Sequence, residues 1–341
     1  MNSPAFTILG TGGIGTGVVY MLEGGHTLGR EESRAGHLLP IRDFCKLHII
    51  LHYVTVLMKD AGISAHVVPV SCVGADAEGK TLISLMAEAG MDTACIQQLK
   101  GVPTMRSVCF QYPDKSGGNI TESRSACSKV GPRRMSPLTK LMSSAGGKLI
   151  AIAAPEVPMP ARESLLRIGR KHGAFNVASF SSLEMPYAKR KLLGLVDLLA
   201  VNMDEAAVLG DATSAKDHRK TVSTATGFIR KSFPGMRLSV TAGKNGSYSF
   251  HDGGLEHLPC VKVNAVSTAG AGDAFLSGIL FGMSKGMPFH GEAASAVRMG
   301  RLVAGMSVMS PDSINFSVNL RNLRSFAKKH GEFSILERLR D

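Results

Sequence analysis

Short apolar runs alternate with longer segments of helical period over most of this chain. A strand, a helix and a further strand in succession place parallel strands in one sheet, joined by crossover helices. The runs that predict strands are bounded by Gly, Pro or polar residues and cover 6–9, 66–72, 148–153, 174–178, 195–201 and 238–241. Helices are predicted at 46–60, 80–89, 161–171 and 273–285. The sequence therefore predicts an α/β fold with a doubly wound, mostly parallel central sheet and flanking helices.

Two regions depart from this alternation. Segment 103–130 contains two strand-like runs around Pro-Asp-Lys-Ser-Gly-Gly, which predicts a hairpin that projects from the main sheet as a small β lid. The tail, 312–341, predicts a final strand and a basic helix around Leu320–Lys329. We expect one domain over 1–311, with 312–341 packed on it as an extension.

Composition narrows the class of protein and its partners. The 341 residues carry a net charge of +12, which suits an anionic ligand. The basic runs lack interleaved aromatic residues, so we expect no nucleic-acid partner. Six cysteines are spread singly along the chain, which favours the reducing cytoplasm, and we find no apolar run of the roughly 18 residues that span a bilayer. His48 and His52 have metal-ligand spacing, but their apolar neighbours favour packing or capping.

A loop of small residues opens directly onto a predicted amphipathic helix. It reads Val266-Ser-Thr-Ala-Gly-Ala-Gly-Asp273. Amide groups at a helix start lack partners within the helix, and the helix dipole adds partial positive charge, so this loop predicts a site for phosphate oxygens. The Asp273 carboxylate has two interpretations: an N-terminal cap, or a base that accepts the proton of an attacking hydroxyl.

The longer string Ser-Thr-x-Gly-Ala-Gly-Asp-x-x-x-Ser-Gly-Ile-Leu resembles the C-terminal signature of the ribokinase-like (PfkB) family of carbohydrate and nucleoside kinases. The resemblance implies an ATP-dependent phosphotransferase that uses Mg²⁺. It also implies that Asp273 is the catalytic base. Gly270, Ala271 and Gly272 would form the anion hole for the transferring phosphoryl group.

Further motifs occur in the order that this family requires. Asn202-Met-Asp-Glu205 resembles its Asn-x-x-Glu element, which implies that Asn202 and Glu205 place metal and phosphate. The run Thr241-Ala-Gly-Lys-Asn-Gly resembles its nucleotide-site turn and implies ATP-binding roles for Thr241, Gly243, Lys244 and Gly246. The lid would cover a small-molecule acceptor, for which the candidate contacts are Gly12, Gly13, Arg106, Asn119 and Arg124.

The chain departs from the family where the acceptor would bind. The stretch after the first strand, Leu9-Gly-Thr-Gly-Gly-Ile-Gly-Thr-Gly17, lacks the usual Asp, and no Gly-Gly-x-x-x-Asn element precedes the first long helix. The acceptor therefore differs from ribose, or the acceptor site is lost or repurposed. We expect a kinase of a sugar or sugar-like acceptor; a nucleoside kinase and a non-catalytic ligand-binding or regulatory protein remain alternatives.

The glycine-rich N-terminus also allows a rival interpretation. Gly10-Thr-Gly-Gly-Ile-Gly15 after a short strand matches a dinucleotide fingerprint, with Glu31 about twenty residues on. The following segment makes a poor helix, which disfavours this hypothesis. Because a lid that adds strands to a sheet edge often pairs with another copy, we expect a homodimer.

Overall fold

Strands and helices alternate along the chain as predicted. The protein is described here by a computed structural model that covers residues 3–114, 117–212 and 215–340. In chain order the strands are β1 (Phe6–Thr11), β2 (Gly15–Leu22), β3 (Gly36–Phe44), β4 (Ala65–Gly74), β5 (Ile96–Leu99), β6 (Met105–Gln111), β7 (Gly117–Thr121), β8 (Lys148–Ala153), β9 (Phe175–Ala178), β10 (Leu198–Asn202), β11 (Arg237–Thr241), β12 (Ser247–His251) and β13 (Gly254–Leu258). The α-helices are α1 (Lys46–Asp60), α2 (Ala77–Ala89), α3 (Ser136–Ser144), α4 (Met159–Lys171), α5 (Met185–Lys191), α6 (Met203–Leu209), α7 (His218–Ser232), α8 (Ala271–Ser284), α9 (Ala296–Ser307), α10 (Leu320–Lys329) and α11 (Phe333–Arg338).

The central sheet has nine strands in the order β13-β12-β11-β10-β9-β8-β1-β4-β5. Its strands are parallel except at one edge, where β12 pairs antiparallel with both β11 and β13. Strand β1 pairs in parallel with β4 on one side and β8 on the other, so the winding of the chain changes direction beside β1. The predicted doubly wound α/β fold is confirmed. Ligands of such sheets bind beyond the carboxyl ends of the strands near this change of direction.

Helix α1 and strand β8 have the bounds predicted from the sequence, and most other elements differ by a few residues. Helix α2 begins three residues before its predicted start because Asp76 Oδ1 caps it, accepting a hydrogen bond from Gly79 N at 2.8 Å. Strand β10 begins at Leu198 because residues 193–195 form a 3-10 turn. Apolar periodicity thus locates the elements, and local capping sets their ends.

The lid is larger than the predicted hairpin. Strands β6 and β7 form the expected antiparallel pair, but β2 and β3 join them in a four-stranded sheet of order β3-β2-β6-β7. The tip of the hairpin turn, Lys115 and Ser116, lies outside the described residues. Because the chain after Gly15 continues as strand β2 and not as a helix, the dinucleotide-binding hypothesis is wrong.

The tail contains the predicted helix, α10, but the predicted strand is wrong. Residues 312–340 are described throughout and hold no strand; a second short helix, α11, follows instead. Leu323, Phe326 and Ile335 are buried in the same apolar core as α1, α8 and α9. Leu320 N also donates to Asp60 Oδ2 at the end of α1, at 3.0 Å.

His48 and His52 are packed within the protein, as predicted. Their rings lie against Phe44 and Phe316 in edge-on contacts. Burial lowers the pKa of His48 to about 3 and that of His52 to about 4, so both rings are neutral near pH 7. Within the described ranges, none of the helices combines the length and the apolar character required to cross a membrane.

Candidate active site

A cavity of about 240 Å³ opens at the carboxyl ends of β9, β10 and β11 and at the start of α8. This is the edge of the sheet where a doubly wound fold binds its ligands. The predicted residues Asn202, Glu205 and Thr241 line it together with the 270–273 loop. The remaining lining residues are Lys46, Ser179, Ala200, Val201, Ser239, Thr268 and Leu276. The chain therefore brings the predicted phosphate-site motifs to one place.

Asp273 does not cap α8. The cap position is Gly270, and Asp273 is the third residue of the helix, with its side chain 13% exposed in the cavity. Gly270 has φ +73°, a left-handed conformation that favours glycine. A Cβ there would also lie 2.5 Å from Ser313 O. The cap interpretation of Asp273 is wrong, and its side chain lines the cavity instead.

The first turn of α8 supplies amide donors to the cavity. Gly272 N and Asp273 N make no hydrogen bond to any described residue, whereas Ala271 N donates to Thr268 O at 3.3 Å. Unpaired amides at the positive end of a helix dipole attract phosphate oxygens. The amides of Gly272 and Asp273 are therefore better placed to bind an anion than that of Ala271.

Lys46 Nζ lies 3.4 Å from Asp273 Oδ1, a contact that sequence reasoning missed. The Asp273 carboxylate raises the pKa of Lys46, which stays protonated. Burial raises the pKa of Asp273 above its ordinary value, and the Lys46 ammonium opposes that rise. Lys46 is the first residue of α1, whose first turn has no acidic residue. A lysine at this end is opposed by the helix dipole, which is the signal that could have identified it.

Asn202 and Glu205, the predicted magnesium residues, form a reciprocal cap at the start of α6. Asn202 Oδ1 accepts from Glu205 N at 2.9 Å, and Glu205 Oε2 accepts from Asn202 N at 2.8 Å. Burial raises the pKa of Glu205, and the Asn202 amide and Lys46 oppose this. Glu205 keeps a second carboxylate oxygen and Asn202 a second lone pair. These hard oxygens fit Mg²⁺ held partly through water, although the described residues include no cluster of three His, Cys, Asp or Glu side chains suited to a metal.

The predicted nucleotide turn lies just beyond the cavity. Thr241 ends β11 and lines the cavity, while Gly243, Lys244 and Gly246 follow it in a short turn outside the lining. Gly246 has φ +89°, and a Cβ there would lie 2.8 Å from Pro259 Cα, so this glycine shapes the turn. Their contacts with ATP remain predictions.

The predicted acceptor contacts do not line this cavity. Arg106 pairs with Glu78 on α2, its Nε lying 2.9 Å from Glu78 Oε2. Asn119 and Arg124 are exposed on the lid. Gly12 and Gly13 are buried where β1 ends, beneath the lid, and Gly13 N donates to Pro155 O at 3.0 Å. Their roles in acceptor binding stay predictions.

Sequence reasoning also missed two acidic residues on the lid side of the site. Asp43 lies near the end of β3, where Cys109 Sγ donates to its Oδ2 at 3.4 Å. Its charge contributes to the raised pKa of Asp273. Glu156 follows β8, and its charge adds to the raised pKa of Lys46. The chain thus has acidic groups on the lid side of the site, although the predicted family carboxylate after β1 is absent.

One loop, 310–316, links the lid to the start of α8. Arg42 N and Nε, on β3, donate to the two carboxylate oxygens of Asp312, each at 2.8 Å. Ser313 N donates to Arg42 O at 3.1 Å, and Phe44 N donates to Ser313 Oγ at 2.8 Å. The Ser313 carbonyl packs on Gly270. A lid strand and the phosphate loop are therefore held by neighbouring residues of one segment.

Known proteins resemble the chain in sequence and in structure. Residues 54–319 match the family described as pfkB family carbohydrate kinase. A ribokinase of Haemophilus influenzae is 26% identical over 249 residues, covering 73% of this chain and 77% of the relative. The ribokinase of Cryptococcus neoformans var. grubii serotype A in complex with ADP has a TM-score of 0.75 at 16% identity, covering 95% of this chain and 99% of that chain. The nucleoside kinase of Burkholderia thailandensis in complex with inosine has a TM-score of 0.70 at 17% identity, covering 95% and 98%.

Proposed function

Because the chain belongs to the pfkB family of carbohydrate kinases, as its motifs predict, and is a kinase of the sugar and nucleoside type, we propose that it moves the γ-phosphate of ATP to a sugar hydroxyl with Asp273 as base. The observation that carries this proposal is the position of the Asp273 carboxylate. It lies in the cavity beside the unpaired Gly272 and Asp273 amides and 3.4 Å from Lys46 Nζ. A base, anion donors and a cation thus converge on one point, as phosphoryl transfer requires.

Each group has a distinct part in the proposed mechanism. Asp273 accepts the proton of the acceptor hydroxyl as the hydroxyl oxygen attacks the γ-phosphorus; the bond between that phosphorus and the β–γ bridging oxygen breaks, and ADP leaves. The Gly272 and Asp273 amides bind the equatorial phosphoryl oxygens, on which negative charge is spread in a loose transition state. Lys46 holds Asp273 ionised and offsets part of that negative charge. Because the transition state needs little proton removal early, a carboxylate of modest basicity is adequate.

ATP and Mg²⁺ are the proposed cofactors. Thr241 lines the cavity and the 243–246 turn follows it directly, which supports binding of the nucleotide there. Mg²⁺, held by Glu205 and Asn202 in part through water, would neutralise phosphate charge. The two residues keep the oxygen capacity this needs after capping α6.

The Asp273→Asn variant tests the base. It keeps the size of the side chain but cannot accept a proton, so we expect kcat to fall by roughly 10²- to 10⁴-fold while ATP still binds. ADP release is measured with Mg·ATP over sugars, phosphosugars and nucleosides, and ATP binding by calorimetry. Turnover at the wild-type rate would exclude Asp273 as base. Asp252→Asn, in the distant β12–β13 turn, is the matched control.

A nucleoside is the second candidate acceptor. The likeness to a nucleoside kinase in complex with inosine favours it, while the family description and the ribokinase relative favour a sugar. The same screen separates the two. A kcat/KM higher for adenosine or inosine than for every sugar would move the assignment to a nucleoside kinase.

We propose that the protein is a homodimer joined through the outer face of the lid. Five apolar side chains lie exposed there, with exposed fractions of 42% for Val18, 38% for Tyr20, 56% for Leu38, 43% for Val108 and 69% for Ile120. Strand register places Val18, Val108 and Ile120 in one row and Tyr20 beside Leu38. Such a patch on one sheet face suits a second copy. Light scattering should give twice the chain mass, and Ile120→Glu should give monomers; a wild-type monomer would refute the dimer.

The cytoplasm is the proposed location. All six cysteines are free thiols, which supports a reducing compartment. Cell fractionation followed by immunoblotting is the direct test, and recovery in an oxidising compartment would contradict it.

A further inference from the structure

Arg162, on helix α4, is a fully buried arginine for which the proposed mechanism has no use. Its side chain is 0% exposed, and its Nε has no hydrogen-bond partner among the described residues. Burial lowers the pKa of Arg162, and the Glu184 carboxylate opposes that fall. Burying such a pair costs free energy that apolar side chains of the same volume would not incur. Stability alone therefore does not account for an arginine at this position.

The Arg162 guanidinium clamps the segment 179–184, which follows strand β9. Its Nη2 donates to Ser179 O, and its Nη1 donates to Glu184 Oε1 at 2.7 Å. Its Cζ lies 4.6 Å from the centre of the Phe180 ring. Glu184 Oε2 in turn accepts from a backbone amide of the segment at 2.9 Å. One arginine thus holds a carbonyl, a ring and a carboxylate of the same short segment.

Ser179 is the residue through which this segment reaches the cavity, whose lining it shares with Gly272 and Asp273. Its Oγ makes no hydrogen bond to any described residue, so the hydroxyl is available as a donor to a ligand. Strand β9 lies between β10, which ends in Asn202, and β8, which Glu156 follows on the lid side. A phosphoryl group that passes from the nucleotide to an acceptor under the lid would cross the cavity at Ser179.

We propose that Arg162 is a positioning residue for phosphoryl transfer, which holds Ser179 so that its Oγ donates a hydrogen bond to the phosphoryl group in transfer. The inference rests on the proposed function and adds a donor and its support to the same site. The Gly272 and Asp273 amides approach the cavity from the start of α8, whereas Ser179 approaches it from the sheet. Donors on two sides stabilise the negative charge that is spread over the equatorial oxygens.

The kinetic test compares single and double variants. Ser179→Ala removes only the hydroxyl, so we expect kcat to fall roughly tenfold with both KM values little changed. Arg162→Lys keeps the charge but loses the planar fork that bonds both partners, and it should lower kcat by a similar factor. If Arg162 acts through Ser179, the double variant should be no slower than the slower single variant. A purely structural arginine would give losses that multiply.

Two further variants complete the set. Glu184→Gln weakens the clamp with a side chain of the same size, so the test holds even where Arg162→Lys does not fold. It should lower kcat in the wild type but not in Ser179→Ala. The matched control is Arg167→Lys, which changes an arginine of the same helix that is 59% exposed, and it should leave kcat unchanged.

Binding gives a readout that does not depend on turnover. The probe is ADP with Mg²⁺ and aluminium fluoride, which mimics a phosphoryl group in transfer, and its affinity is compared with that of ADP and Mg²⁺ alone by calorimetry. We expect aluminium fluoride to strengthen binding in the wild type and in Arg167→Lys, and to do so roughly tenfold less in Ser179→Ala and in the two clamp variants.

Wild-type behaviour of Ser179→Ala or of the clamp variants, losses that multiply, or no gain from aluminium fluoride in the wild type would overturn the inference. Normal ADP release by Ser179→Ala would do so and leave the proposed function intact. A gain that depends on Ser179, in a protein that releases no ADP with any acceptor, would support the inference and count against the proposed kinase mechanism alone.

Discussion

The contact between Lys46 and Asp273 gives a prediction whose size follows from its geometry. At a separation of 3.4 Å, two unit charges attract by about 1 kcal/mol in bulk water and about 5 kcal/mol at an effective dielectric constant of about 20. The Lys46 side chain is 41% exposed, and solvent screening holds the value near the lower figure. The Lys46 charge therefore favours the ionised form of Asp273 by about 1 kcal/mol, and it holds the pKa of Asp273 below the value that burial alone would give.

The Lys46→Met variant removes this charge and should raise the pKa of Asp273. Asp273 must be ionised to accept a proton, so activity is lost as the pH falls through its pKa. We expect the acid limb of the profile of kcat/KM against pH to move to higher pH. The maximal value of kcat/KM should also fall, because Lys46 offsets negative charge on the phosphoryl group. The pH at which the acid limb lies, however, is the quantity that reports on the ionisation of Asp273.

The matched control is Lys59→Met, which removes an exposed lysine from the last turn of the same helix. Its acid limb should coincide with that of the wild-type enzyme. An unmoved limb in Lys46→Met, or equal movement in both variants, would refute the argument that Lys46 sets the ionisation of Asp273.

Three further predictions concern stability and the lid. In the folded protein His48 stays neutral down to about pH 3, whereas in the unfolded chain it takes up a proton near pH 6.5, so the free energy of unfolding should decrease as the pH falls below about 6.5. In His48→Phe, the decrease in the free energy of unfolding between pH 7 and pH 5, measured by urea denaturation, should be smaller by about 2 kcal/mol. The same decrease in the variant and the wild type would contradict this. A Cβ at Gly278 would lie 2.7 Å from the backbone of α9, whereas none of the described atoms lies within 4 Å at Gly227. Gly278→Ala should therefore destabilise by about 1–3 kcal/mol and Gly227→Ala stabilise by about 0.5–1 kcal/mol; thermal shifts of equal sign would refute the packing argument. Arg42→Ala removes both side-chain bonds to Asp312, and it should raise the acceptor KM by more than the ATP KM; equal changes would argue against a lid role.

Elements of the central sheet could be predicted because their signals are local. Strand β8 is a continuous apolar run next to Gly147, and α1 keeps apolar residues at helical spacing, so each is recognisable without its neighbours. Strands β2 and β3 were missed for the opposite reason. The glycines of β2 lower its strand propensity, and the reason for them lies in the neighbouring strand. A Cβ at Gly17 would lie 2.6 Å from Oδ2 of Asp43, which is on β3. That constraint exists only once the lid is assembled.

The candidate site divides in the same way. The 270–273 loop and Asn202 were found because the residues of each motif are consecutive or nearly so. Lys46 and Asp273 are 227 residues apart, and no periodicity in the sequence connects them. Glu156 has only its place after a strand and before Val-Pro as a signal, and its strained backbone is visible only in the structure.

The loop at 310–316 ties two binding events together. Asp312 and Ser313 hold strand β3 of the lid, while the Ser313 carbonyl supports Gly270 at the phosphate loop. A movement of the lid on acceptor binding would therefore move the phosphate loop, 270–273, and a lid held still would hold that loop in place. Acceptor and nucleotide would then share a coupling free energy, and each would change the affinity for the other by the same factor. Comparing the acceptor affinity of the wild type and Arg42→Ala, with and without an ATP analogue, would measure that factor. On this view, the segment after α9 makes the enzyme sensitive to whether both substrates are present.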